Sequence, residues 1–237
     1  METVSGNLVS ALRIEPGITA IIGSGGKSTL LKTLGLELMR AGGRVLLCTT
    51  THMFPVAGVP WDGSNRRLDA APWKPGAPHV PGCTCEACAG MSRGSICQAG
   101  ILDPETGKLS APAEPPNELA QRFDYVLAEA DGSKRLPLQA HAPWEPVVPA
   151  GTVNVIWLIG ASGLGKPINE AVHRPGCEPT DAATPERVAQ VLNAELRMLN
   201  LNNARIMLNQ VDTLADPTMA DRFEAAINRP LIATSLR

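Results

Sequence analysis

The chain has 237 residues, 44% of them hydrophobic, and a formal net charge of -2 from 21 basic and 23 acidic side chains. That length and apolar content suffice for one substantial core, or one core with a small appended module. The near-neutral balance excludes a globally basic face for nucleic acid or anionic lipid. No apolar run is long enough to cross a bilayer, and residues 1–10 lack a basic start and an apolar signal core, so the expectation is a cytoplasmic protein.

The first predicted strand, 18–22, runs into Gly23-Ser24-Gly25-Gly26-Lys27-Ser28-Thr29, and a helix over 28–41 follows with leucines at 30, 31, 34 and 38. Glycines in such a turn let successive N–H groups converge on an anion, and the helix N-terminus adds its positive dipole end. Lys27 supplies a full charge and Ser28 a hydroxyl for magnesium. The spacing is the short form G-x-x-G-K-S, because Ile21 stands at the first glycine of the longer G-x-x-x-x-G-K-[ST]. Gly23 to Thr29 are therefore the expected phosphate-binding residues.

A second strand, 44–50, ends in Thr49-Thr50-Thr51-His52, where His52 is a candidate acid, base or metal ligand. From 53 to 100 proline and glycine recur and no period holds, so this stretch reads as an irregular insertion within a single 1–237 domain. Cys83, Cys85 and Cys88, with Cys97, have spacing that can surround zinc; free or redox-active thiols are the alternative. Cys48, inside the strand, reads as a small buried hydrophobe.

A short helix over 117–122 precedes a strand at 125–130 that leads into Glu129-Ala130-Asp131-Gly132-Ser133-Lys134. Beside a phosphate loop, an acid at a strand end holds magnesium opposite the Ser28 hydroxyl. Asp131 is assigned that place and Glu129 the alignment of the attacking group, with Lys134 reaching back over the phosphates. The strand 153–159 leads into Gly160-Ala161-Ser162-Gly163-Leu164-Gly165-Lys166-Pro167, a closer spacing match to the long phosphate-loop form. Pro167 supplies neither hydroxyl nor N–H, so this stretch is a turn at a strand end that can face the same ligand.

A helix at 185–192, a strand at 205–208, a helix at 217–227 and a strand at 231–234 complete the alternation. Buried β-branched strands separated by helices predict an α/β, P-loop NTPase-like, mostly parallel sheet covered on both faces. Asn209-Gln210-Val211-Asp212 resembles the N-K-x-D segment that grips guanine, with Gln210 in place of lysine. Asn209 and Asp212 are thus candidate base contacts, and ATP and GTP both stay open. Arg174, beside His173, is a candidate to stabilise transferred charge.

These blocks, with Glu145-Pro146-Val147-Val148-Pro149 and Val172-His173-Arg174-Pro175, make the chain resemble the YqeC-type selenium-dependent hydroxylase accessory proteins from about Gly17 onward. The specific part is Glu129 to Lys134 combined with Val172 to Pro175. The resemblance implies a P-loop nucleotide-binding protein in the maturation of selenium-dependent molybdenum hydroxylases, with a client hydroxylase or cofactor-maturation protein as partner. Trp144 stands where the family has histidine, Gln210 where it has lysine, and the cysteine-rich segment is not a fixed family feature. Two functions follow: magnesium-dependent hydrolysis or transfer of a nucleotide phosphoryl group, or a nucleotide-gated chaperone carrying a metal, sulfur or selenium species to its client.

Overall fold

The structure, a computed structural model, describes residues 2–3, 6–59, 93–175 and 181–236. The strands in chain order are β1 (Glu2–Thr3), β2 (Gly17–Gly23), β3 (Arg44–Thr49), β4 (His52–Met53), β5 (Ser95–Gln98), β6 (Ile101–Leu102) and β7 (Leu109–Ser110). They continue with β8 (Tyr125–Glu129), β9 (Leu138–Gln139), β10 (Thr152–Gly160), β11 (Val172–His173), β12 (Arg205–Asn209) and β13 (Leu231–Ala233). The helices are α1 (Leu8–Ala11), α2 (Lys27–Arg40), α3 (Pro116–Leu119), α4 (Ile168–Ala171), α5 (Pro185–Met198) and α6 (Thr218–Ile227).

Eight strands form one sheet in the order β1-β13-β12-β10-β2-β8-β3-β5, and every neighbouring pair is parallel. The expected α/β, P-loop NTPase-like architecture is what the chain adopts. Side chains alternate between its faces. Ala20 and Ile22 of β2 pack with Trp157, Ile159 and Phe223 on one side, and Ile21 packs with Leu30, Leu34 and Leu127 on the other. Cover on both faces is why these strands read as unbroken apolar runs.

Helix α2 buries Leu30, Leu31, Leu34 and Leu38, each contributing about 1.5–3 kcal/mol by leaving water. Helix α5 starts where Thr184 accepts the Arg187 N–H at 3.3 Å and Pro185 sets the first turn. It runs past the predicted end at 192, because Leu196 continues the buried stripe begun by Ala189 and Leu192.

The segment read as irregular contains β5, which adds to the sheet edge by pairing Leu46 with Cys97. Residues 60–92, with Cys83, Cys85 and Cys88, lie outside the described residues. Two small sheets complete the fold: antiparallel β4-β7-β6 and parallel β11-β9. The latter matters for the site, since it brings His173 beside Gln139.

Candidate functional site

In an all-parallel sheet the loops that follow the strands gather along one edge. Here β2, β3, β8, β10 and β12 all release chain toward a cleft of about 560 Å3. Its floor is Gly25, Gly26, Lys27, Ser28 and Thr29. Gly25 has φ +91°, and a Cβ there would lie 2.3 Å from Gly160 Cα, so only glycine lets the two turns meet. The turn after β10 is thus the backing of the first, while its Ser162 lines the cleft.

Asn209 pins the same turn from below. Its Nδ2 donates to the Gly25 carbonyl at 2.8 Å and its Oδ1 accepts the Leu236 N–H at 2.8 Å, in a side chain 1% exposed. Helix α2 begins at Lys27 with no side-chain cap and no acid in its first turn, which leaves its positive dipole end to the cleft.

Beneath the floor lies a buried charge network. Lys27 Nζ sits 2.8 Å from Asp131 Oδ1 and 3.9 Å from Glu129 Oε1, and it donates to the Gly23 carbonyl. Asp131 Oδ2 accepts the Gly23 N–H at 2.6 Å and contacts His141 Nε2 at 2.7 Å. The other ring nitrogen, Nδ1, meets Glu195 Oε2 at 2.9 Å, and the His141 backbone N–H donates to Glu195 Oε1 at 2.8 Å. Both imidazole nitrogens face carboxylates, so both must carry protons. Burial disfavours that cation, but hydrogen bonds to Asp131 and Glu195 outweigh it and raise the His141 pKa to about 9. Burial likewise pushes Asp131 up, and Lys27 and His141 together pull it below its ordinary range.

Sequence reasoning missed His141. It lies in an Ala/Pro-flanked loop, and Glu195 is on helix α5, so no local spacing joins them; only its place ten residues beyond Asp131 offered a signal.

Glu129, not Asp131, is the acid beside the serine: Ser28 Oγ donates to Glu129 Oε2 at 3.4 Å, and both residues line the cleft. Asp131 is fully buried and already faces Lys27, His141 and the Gly23 N–H. Burial pushes the Glu129 pKa to about 7, with Asp131 adding to the rise and Lys27 opposing it. A carboxylate next to a hydroxyl is a hard-oxygen pair that suits Mg2+, so the residues present fit that ion.

The predicted Thr49-Thr50-Thr51-His52 block divides by role. Thr49 Oγ1 donates to the Glu129 carbonyl at 2.9 Å and Thr50 Oγ1 to the Val147 carbonyl at 2.8 Å, while Thr51 and the exposed His52 line the cleft. Lys134 lines it too, and Arg174 does so while ion-paired with Glu145. Among the described residues eight non-glycine residues have left-handed backbones, and four of them, Lys134, Arg135, Arg174 and Gln210, line this cleft. Such conformations cost on the order of 1–3 kcal/mol each and gather where geometry serves a ligand. Burial, with Arg174 and Lys134 nearby, keeps the His173 imidazole below its ordinary pKa.

Other predicted residues fall elsewhere. Gly23 and Ser24 line a separate cavity behind the turn. Asp212 is exposed, its N–H donates to Ser235 Oγ at 3.1 Å, and the cleft wall at this point is Gln210. Cys97 is buried with Leu46, Cys48 and Phe123 in a core cluster, and burial raises the Cys48 thiol to about 12. Among the described residues no group of three or more His, Cys, Asp or Glu is placed to hold a metal. Nor is any helix among them long and apolar enough to cross a membrane.

The family model described as YqeC protein matches residues 19–176, more than half of the chain. The chain is also 30% identical over 174 residues to "Uncharacterized protein YqeC" of Escherichia coli (strain K12), covering 67% of this chain and 58% of that relative. The matched part therefore spans somewhat over half the length of that relative.

Proposed function

This chain belongs to the YqeC family, and on that premise we propose that it binds the magnesium complex of a purine nucleoside triphosphate and hydrolyses it or transfers its terminal phosphoryl group. One observation carries the reading. Residues 25–29 of the glycine turn, Glu129, Lys134 and Arg174, far apart in sequence, line a single cleft beside an uncapped helix start. The turn's N–H groups and Lys27 receive the phosphates. Ser28 and Glu129 hold Mg2+, which when bound neutralises phosphate charge and orients the terminal group. Asp131 serves from beneath, fixing the Gly23 N–H and the Lys27 ammonium. Lys134 and Arg174 face the cleft where charge develops on the transferred group.

ATP and GTP both fit the reading. Asn209 is occupied in holding Gly25, so base recognition falls to Gln210, Ser162 and the exposed Asp212. Service to a selenium-dependent molybdenum hydroxylase, as enzyme or as nucleotide-gated insertion factor, belongs to the same proposal and rests on the family resemblance. Zinc on Cys83, Cys85, Cys88 and Cys97 belongs to the same proposal; the first three lie outside the described residues, and Cys97 is buried in a core cluster.

The test is phosphate release from ATP and from GTP with Mg2+, by wild type and by Glu129→Gln. Magnesium-dependent release that the variant slows about 100-fold supports the reading. Equal release by both proteins contradicts it.

A further inference from the structure

We propose that the cavity behind the glycine turn is a second ligand site, built for a compact, planar, largely apolar molecule that carries an adjoining hydrogen-bond donor and acceptor, such as a lactam or carboxamide edge. The cavity has a volume of about 400 Å3, within the range of small-molecule sites. It lies between the end of β10, the strand pair β9-β11 and helix α5. Trp157, Ile159, Leu138 and Leu192 give it apolar walls, which favour a ring system over a sugar or a phosphate.

Its polar wall residues include Gln139, Gln190, Glu195 and Arg187, the last ion-paired with Asp181 at 2.8 Å. Gln139 belongs to the wall, and both its amide oxygen and its amide nitrogen are buried without a hydrogen-bond partner. A buried amide left unpaired forfeits its hydration without return, so such groups call for an explanation. A ligand edge with one N–H and one C=O side by side satisfies a glutamine amide at both atoms. Glu195, also in the wall, has both oxygens committed to His141, so it offers little to a cationic ligand. That selects a neutral molecule.

The site is distinct from the cleft but touches the same machinery. Gly23 and Ser24 form part of its wall, and Glu195 is the far end of the chain that runs through His141 and Asp131 to Lys27. An occupant would therefore bear on the turn from the side opposite the nucleotide.

The probe is quinazolin-4-one, a flat bicyclic lactam, titrated calorimetrically into the full-length chain, with naphthalene as the matched ring lacking the polar edge. The expected result is one-to-one binding of quinazolin-4-one that Gln139→Leu weakens about tenfold or more. Val188→Trp, which fills the cavity, is expected to abolish it. Thermal melting of both variants checks that they are folded, and Gln139→Leu alone carries the test if Val188→Trp is not. Absence of binding to wild type up to the solubility limit overturns the proposal, as does equal affinity in Gln139→Leu or naphthalene binding as tightly as the lactam. None of these results depends on whether the cleft takes a nucleotide.

Discussion

His141 Nε2 lies 2.7 Å from Asp131 Oδ2, and this fully buried pair joins the glycine turn to helix α5. Asp131 holds the Gly23 N–H and the Lys27 ammonium, and His141 holds Asp131 with Glu195 behind it. The loop lysine is thus set by a residue that never enters the cleft.

Replacing His141 by Gln removes a buried cation from between two carboxylates. A loss of stability of about 3–5 kcal/mol is expected, because each partner is left in a low-dielectric site without its counter-charge. Chemical denaturation at pH 7 measures it, and nucleotide affinity of the folded fraction is expected to fall as well, since Lys27 and the Gly23 N–H lose their anchor.

The raised His141 pKa makes stability depend on pH. With a folded value of about 9 above the ordinary 6.5, the contribution is complete below pH 6.5 and disappears as pH rises through 9. A decline on the order of 3 kcal/mol across that window is expected in denaturation curves of wild type. The decline should be missing in His141→Gln.

Glu129 gives a second pH signature, at the cleft. With its pKa pushed to about 7 from 4.5, its neutral form is favoured in the folded protein, so stability is greatest below pH 4.5 and falls as pH climbs to 7. A bound divalent cation would reverse that preference. Titration of Mg2+ with nucleotide at pH 6 should therefore release a proton, read as a dependence of the apparent enthalpy on buffer ionisation, and Glu129→Gln should release none.

Gly25→Ala puts a methyl group against Gly160 Cα and forces alanine to φ +91°. The backbone alone costs about 1–2 kcal/mol, and the contact adds to it. The expected outcome is a folded but less stable protein with no measurable nucleotide affinity. Asn209→Ala, which leaves the Gly25 carbonyl and the Leu236 N–H unpaired, should lose about 1–3 kcal/mol and weaken ATP and GTP to the same degree.

Much of the fold was legible because its signals are local. The run into Gly23, the leucine spacing of α2 and the apolar stretch of β10 each lie within one element. The cleft was legible for a different reason: parallel strands place their following loops on one edge, so motifs read at strand ends had to meet. What stayed hidden depends on distant pairs. Strand β5 is four residues among prolines and glycines, made a strand by β3 beside it. That Glu129 rather than Asp131 stands beside Ser28 follows from Lys27 and His141 closing on Asp131, which the spacing of two acids cannot express. Gly160 against Gly25 likewise unites turns that read as rivals.

The central claim is that the turn from Gly25 to Ser28 receives the phosphates of a nucleotide. Calorimetric titration of Mg2+ with ATP and with GTP into wild type and into Ser28→Ala, whose exposed hydroxyl hydrogen-bonds Glu129 among the described residues, tests it while sparing the buried network. Saturable one-to-one binding by wild type, weakened at least tenfold in the variant when Mg2+ is present, is the expected result. Absence of binding of either nucleotide to the folded wild-type protein, or equal affinity in both proteins, would contradict it.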